Sequence, residues 1–344
     1  MGQPTRTFNG YSRIVRSYNA FHQVARESYF DASGMPVRNG ENGAYEVLRK
    51  YDERGGISEE TLCDASGNPM AGEDGFARVT LKNDSRGLPI YKAYFDGQGN
   101  SVTLADGYSA ISLAYDLFGN ISEEQYFGLD GKPVVAKDGY ARLTRASNAG
   151  GYVLEEHYFD LSDQPVQNVR GEAGILNEYD DDMNLTYTAS LDAQGAPALN
   201  ALGYAYRAYR YNAKNVLIGE QYLDLSRNPV ANTYGYAGVE RLVNEKGWLL
   251  RETYVGLRGE RVLCERGYAV RTYTYNSDGL LLTETFCDAA NSLTTLPDGF
   301  TYIQYQYDEY NALTGVVALD VNKQPVAAEI DPELLGISMP NAQE

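Results

Sequence analysis

The chain is poor in the residues that build reactive centres. Histidine occurs twice, at His22 and His157, and cysteine three times, at Cys63, Cys264 and Cys287. There is no C-x-x-C pair, so neither zinc nor a disulfide framework is indicated. A G-x-S-x-G elbow, a Walker Gly-Lys-Ser/Thr and an H-E-x-x-H are all absent. No nucleophile, base and orienting group therefore converge on one motif, and the expectation is a non-enzymatic chain without cofactor or metal. Basic residues are also scarce. The net charge is −18 with pI near 4.6, which sets nucleic-acid phosphates and anionic membrane surfaces aside as partners. No apolar run approaches the roughly 18 residues of a membrane span, so membrane insertion is not expected. The start, MGQPTRTFNG, lacks the regions of a signal peptide, and Arg6 stands where a myristoylation motif wants Ser or Thr.

What the chain has is tyrosine, 30 of them, among 43% apolar residues, which argues against disorder. It also has a period. Taking the Gly before each aromatic as position one, repeats begin at Gly10, Gly43, Gly75, Gly107, Gly139, Gly171, Gly203, Gly235, Gly267 and Gly299. The spacing is 33 residues once and 32 thereafter, so ten repeats fill residues 10–331. Residues 1–9 read as a partial repeat, with Gly2-Gln3-Pro4 in a G-x-P position, as in a piece of a longer protein. Residues 332–344 read as a tail with one helical turn at Pro332–Leu335.

Each repeat holds two strand-like runs. In repeat four these are Tyr108–Tyr115 and Ile121–Phe127, joined by Asp116–Asn120, and the second run ends at YFGLDGKPV. A short Gly-containing loop between apolar runs marks a hairpin, and the Pro after the second run stops the strand. The chain is thus expected to be all-β: ten tandem β-hairpin repeats of about 32 residues, in an elongated solenoid-like or twisted antiparallel array.

Period-two alternation assigns faces. On the first strand, Ala77, Ser109 and Ala141 share a parity with Val79, Ile111 and Leu143, and with the terminal tyrosines such as Tyr51 and Tyr115. On the second, Ile57, Ile121 and Val153 share one with Phe30, Phe95, Phe127, Phe159 and Leu223, and these are assigned to the core. Cys63 and Cys287 stand at the Phe position as core substitutes. The opposite face carries Glu two places before Tyr: Glu27/Tyr29, Glu124/Tyr126, Glu156/Tyr158, Glu220/Tyr222 and Glu252/Tyr254, with Tyr94 in the same column.

That column is the binding candidate. Tyr offers a rigid flat surface with a polar tip, suited to sugar faces or protein contacts, and repetition turns weak contacts into avidity. The competing reading is cross-strand pairing, with each Glu offset by a basic neighbour such as Arg13, Lys50, Arg78, Lys82, Arg142 or Arg210. The turn aspartates, among them Asp31, Asp64, Asp96 and Asp160, supply one carboxylate per turn. That fits a turn cap better than calcium, which wants six to eight oxygens. Repeat six breaks the pattern, losing its first aromatic and gaining Asp180-Asp181-Asp182, as a kink, a cation site or drift.

The stretches Tyr29–Val37 and Tyr126–Val134 resemble the cell-wall-binding repeats of choline-binding proteins and clostridial toxins. The period is longer here and the Gly-Trp of the choline pocket is missing, the one Trp248 lying at a hairpin turn. The other half, Tyr115–Ile121, is similar to YD (Rhs-type) repeats, which form long hairpin ribbons. Both resemblances imply a bacterial, surface-associated, non-catalytic protein. The expectation is therefore a repeat protein at the cell surface or secreted, with a cytoplasmic place as the alternative. It would bind cell-surface or cell-wall glycan, or a protein there, through exposed tyrosines. The alternative function is a structural spacer or protein-interaction scaffold attached to a domain outside this chain; the oligomeric state is open.

Overall fold

A computed structural model of the chain describes residues 10–330 except 310, 312 and 329; the N-terminal partial repeat and the C-terminal tail lie outside the described residues. The chain divides after Val169 into two compact units. Among the described residues there are twenty β-strands and no helix, two strands to each repeat.

The N-terminal unit holds five hairpins: β1 (Arg13–Tyr18) with β2 (Val24–Phe30), β3 (Glu46–Tyr51) with β4 (Ile57–Cys63), β5 (Arg78–Asn83) with β6 (Pro89–Phe95), β7 (Ala110–Tyr115) with β8 (Ile121–Phe127), and β9 (Arg142–Ser147) with β10 (Val153–Phe159). The C-terminal unit holds β11 (Gly174–Tyr179) with β12 (Leu185–Leu191), β13 (Tyr206–Tyr211) with β14 (Leu217–Leu223), β15 (Gly238–Val243) with β16 (Leu249–Val255), β17 (Val270–Tyr275) with β18 (Leu281–Cys287), and β19 (Tyr302–Tyr307) with β20 (Leu313–Leu319). Within each unit consecutive strands pair antiparallel as a meander. Six residue pairs close each hairpin, as Ala110↔Phe127 to Tyr115↔Ile121, whereas three join one hairpin to the next, as Glu123↔Thr144 to Gln125↔Arg142.

The turns are built as their residues dictate. Asp116 Oδ1 accepts from the amides of Phe118 and Asn120, and Asp31 Oδ1 from those of Ser33 and Met35. The turn aspartates spend their carboxylates on their own loops. Asp180 does the same for Asp182 and Asn184, so the acidic run of repeat six is an ordinary hairpin turn. His22 occupies the left-handed slot of the first turn, φ 62°, where Gly55 and Gly119 stand in repeats two and four.

One irregularity decides which residues share a face. Every hairpin carries a bulge near the start of its second strand: Tyr115 pairs with Ile121, but Ala114 already pairs with Glu123, so Ser122 has no opposite. A bulge places two residues against one and so exchanges parity across it. Ile121 therefore lies with Tyr126, not with Phe127, and both Ile121 and Tyr115 pack on the cluster formed by Ile111, Leu113, Tyr126, Tyr140, Leu143 and Tyr158. Ile121 belongs to the core as expected; the face it shares does not. The return loop after the second strand then folds over this tyrosine face. Val134 bonds the Tyr126 carbonyl, and Val134, Ala136 and Val166 cover the rings. Successive return loops are tied together, Lys137 N to Asp106 O at 2.8 Å and Val169 N to Asp138 O at 2.9 Å.

Candidate functional site

The structure puts the Glu–Tyr column inside. Tyr29 is 3% exposed, Tyr126, Tyr158 and Tyr222 are buried, and Tyr94 and Tyr254 are half-buried against the same clusters. This corrects the exposed face assigned from alternation. The phenylalanines face the other way: Phe30, Phe95, Phe127 and Phe159 are half-buried, while Leu223, Cys63 and Cys287 at the same position are buried.

The rings form runs. In the N-terminal unit Phe76, Tyr94, Tyr108, Tyr126, Tyr140 and Tyr158 follow one another at centroid distances of 5.1, 6.2, 4.9, 5.9 and 4.6 Å. In the C-terminal unit Tyr204, Tyr222, Tyr236, Tyr254, Tyr268, Phe286 and Phe300 do the same. Seven of the ten repeats supply one ring from the segment before the first strand and one from the second strand; repeat two has Ala44 and Leu62 there, and repeat ten has Phe300 with Ala318. Such pairs add roughly 0.5–1.5 kcal/mol each beyond area burial. Repeat six replaces both rings with polar groups. Ser190 Oγ donates to Glu172 Oε1 at 2.7 Å and Asn200 Nδ2 donates to the same oxygen at 3.2 Å, all three residues buried.

The glutamates are equally engaged. Tyr29 donates its hydroxyl to Glu27 at 2.7 Å, Tyr126 to Glu124 at 3.1 Å and Tyr158 to Glu156 at 3.0 Å. Arg16 pairs with Glu27, Arg49 with Glu60, and Arg145 with both Glu156 and Glu124. In the C-terminal unit Glu220 lies between Arg207 and Arg241, Arg241 also holds Glu252, and Glu252 accepts from Tyr273. Burial alone pushes the Glu220 carboxyl up, but Arg207 and Arg241 outweigh it and hold it below the usual carboxylate range. Burial, with the neighbouring carboxylates, pushes the Tyr126 and Tyr158-facing Tyr140 hydroxyls up, Tyr140 to about 12.

Cross-strand pairing thus holds, with other partners than alternation names. Arg13, Arg78 and Arg142 lie on the phenylalanine face, over Phe30, Phe95 and Phe159 at 4.7, 4.7 and 4.1 Å. Lys50 and Arg78 meet Glu59, and Arg142 meets Glu123, on that same face. A cavity of about 350 Å³ opens there, lined by Leu48, Lys50, Glu59, Thr61, Pro69 and Arg78 among others. His157 bonds Glu155 at 2.7 Å on the phenylalanine face. Counting register from the turn with one bulge, rather than alternating along each strand, would have found Arg16, Arg49 and Arg145.

No family model matches the chain, and no curated protein matches it. Solved structures similar to it include a crystal structure of TcdB2-TccC3, at 12% identity and TM-score 0.30, covering 92% of this chain and 22% of that one. Another is a Photorhabdus luminescens Tc holotoxin pore with a TccC3 variant, at 16% identity and TM-score 0.24, covering 90% of this chain and 19% of that one. The chain spans about a fifth of the length of these matches.

Proposed function

We propose that the chain is a non-catalytic β-hairpin repeat scaffold, a structural array that carries protein contacts rather than chemistry. One observation supports this reading above the rest: the Glu–Tyr column is used up within the fold. Its rings lie on rings, its hydroxyls on carboxylates and its carboxylates on guanidinium groups. Glycan binding through Tyr29, Tyr126, Tyr158 or Tyr222 has no surface to act on, because those rings are buried.

The two readings separate at Tyr158. As a structural ring, Tyr158→Ala costs about 3–5 kcal/mol of stability, while Tyr158→Phe costs about 1 kcal/mol through the lost hydroxyl bond. Neither changes retention on cell-wall glycan, which is blank from the start. Retention that disappears in Tyr158→Phe at unchanged thermal stability would restore the glycan reading and sink the scaffold one.

A further inference from the structure

Repeats three and five carry the same arrangement on the phenylalanine face. Arg78 of β5 lies over Phe95, its guanidinium carbon 4.7 Å from the ring centroid, and Arg142 of β9 lies over Phe159 at 4.1 Å. Each arginine reaches back to a glutamate of the preceding hairpin, Arg78 to Glu59 at 3.7 Å and Arg142 to Glu123 at 3.1 Å. The turn that follows the second strand is built alike in both. Asp96 Oδ1 accepts from the amides of Gln98 and Asn100, and Asp160 Oδ1 from those of Ser162 and Gln164. The fourth residue of each turn is left-handed, Gly99 with φ 89° in one and Asp163 with φ 59° in the other.

That fourth residue is where the two repeats differ. In repeat five Arg142 donates Nε to Asp163 at 2.9 Å and Nη1 to Glu123 at 3.1 Å, so one guanidinium serves two carboxylates. In repeat three a glycine stands there, and a Cβ added to it would lie 3.6 Å from Arg78 Nη2. Arg78 Nε is buried and has no hydrogen-bond partner among the described residues. A buried donor without an acceptor is costly and calls for an explanation. Beside it lies the cavity of about 350 Å³, which Gly97, Gly99, Leu48, Thr61 and Pro69 help to line. Charge points the same way. Lys50 holds Glu59 at 2.7 Å, so in repeat three one glutamate is shared by two cations. Asp96 also borders the cavity, but its second oxygen is taken by Asn100 Nδ2 at 2.9 Å.

We propose that the cavity of repeat three is a carboxylate-binding site, which receives an acidic side chain of a partner peptide. The incoming carboxylate takes the place at Arg78 that Asp163 holds at Arg142. A guanidinium fork suits a planar carboxylate, and Lys50 adds a second positive charge to the pocket. Leu48, Thr61 and Pro69 supply apolar wall for the chain that carries the acid. That the ligand is a carboxylate follows from Arg78; that a protein brings it rests on the scaffold reading.

The first test needs no ligand. Gly99→Asp and Gly99→Asn share the same backbone strain, so their difference reads the carboxylate alone. Gly99→Asp should melt about 2 °C or more above Gly99→Asn, although it adds negative charge to an acidic chain. In an Arg78→Gln background the two should melt alike. The second test uses the capped peptide DLSDQPV, residues 160–166, titrated into the full chain with 15N-labelled arginine. The Arg78 Nε–H resonance should shift saturably, with Kd about millimolar. A copy with Asp160→Asn and Asp163→Asn should bind about tenfold or more weakly, the scale of one hydrogen bond to a charged group. Gly99→Asp should abolish the shift by occupying the site from within. The proposal is overturned if Gly99→Asp melts no higher than Gly99→Asn, if the carboxamide copy binds equally, or if Arg78 does not respond to the peptide. Succinate binding as tightly as the peptide overturns the peptide as the ligand. A blank titration leaves the Tyr158 variants untouched, so failure of this site and failure of the scaffold reading are told apart.

Discussion

Arg241 holds Glu220 of the preceding hairpin at 2.5 Å, and Glu220 is buried between that arginine and Arg207. One carboxylate therefore joins two repeats. Removing it leaves two guanidinium groups facing each other in a half-dry site. Breaking a buried pair by deleting one partner costs about 3–5 kcal/mol, and the partial exposure of Arg207 brings this down to about 2–4 kcal/mol for Glu220→Gln. Urea unfolding of the full chain checks the value. A loss under half a kcal/mol would show the ion pairs to be ornamental to stability.

The same carboxylate sets an acid limit. Its value in the folded chain lies below the ordinary 4.5, as does that of Glu27, which burial pushes up but bonds from Arg16 and Tyr29 pull down further. A depressed carboxylate contributes stability that is fully present above the unfolded value and is lost as pH falls through the folded one. Thermal stability should thus hold down to about pH 5 and then decline. On the alkaline side the sign reverses. Burial pushes Tyr140 and Tyr268 up to about 12 from 10.0. Both states stay neutral below pH 10; above it the unfolded chain ionises first, and stability falls toward pH 12. A melting series across pH 3 to 12 reads both limbs, and titration of Tyr140 or Tyr268 itself near 10 in the folded chain would contradict their burial.

The thiols offer a simpler check. Cys63, Cys264 and Cys287 are buried, and burial raises each above the ordinary thiol value of 9.0. A thiolate is the reacting form, so all three should resist a water-soluble disulfide reagent at neutral pH and react together on unfolding. One thiol reacting rapidly in the native chain would place it at a surface.

Hairpins were legible in the sequence because their determinants are local. Asp at the turn start, Gly in the left-handed slot and Pro after the second run act within five residues, and each recurs in register through most of the ten repeats. The burial of the tyrosines was not legible, for two non-local reasons. The bulge beside Ser122 shifts Ile121 onto the face of Tyr126, so unbroken alternation joined Ile121 to Phe127. The return loop bearing Val134 then covers the tyrosines, and a polar Glu-x-Tyr column gives no hint of that lid. A buried Glu is tolerable only with a cation beside it, and Arg16, Arg145 and Arg241 each sit opposite one across the hairpin, at Glu27, Glu156 and Glu252.

The left-handed turn slot gives a backbone test. Gly34 sits there with φ +88°, and a Cβ added to it would meet nothing within 4 Å. Any loss in Gly34→Ala is therefore conformational, at about 1–2 kcal/mol for an L-residue forced to positive φ. His22 occupies the matching slot of its own turn with φ 62°, close to the left-handed basin that side chains reach with least strain. Replacing it with glycine removes that strain but frees the unfolded chain, so His22→Gly should gain only about 0.5–1 kcal/mol. The pair of variants, melted side by side, should move in opposite directions. If His22→Gly instead loses stability, the imidazole makes a contact worth more than its backbone cost, and His22 is no longer a plain turn variant.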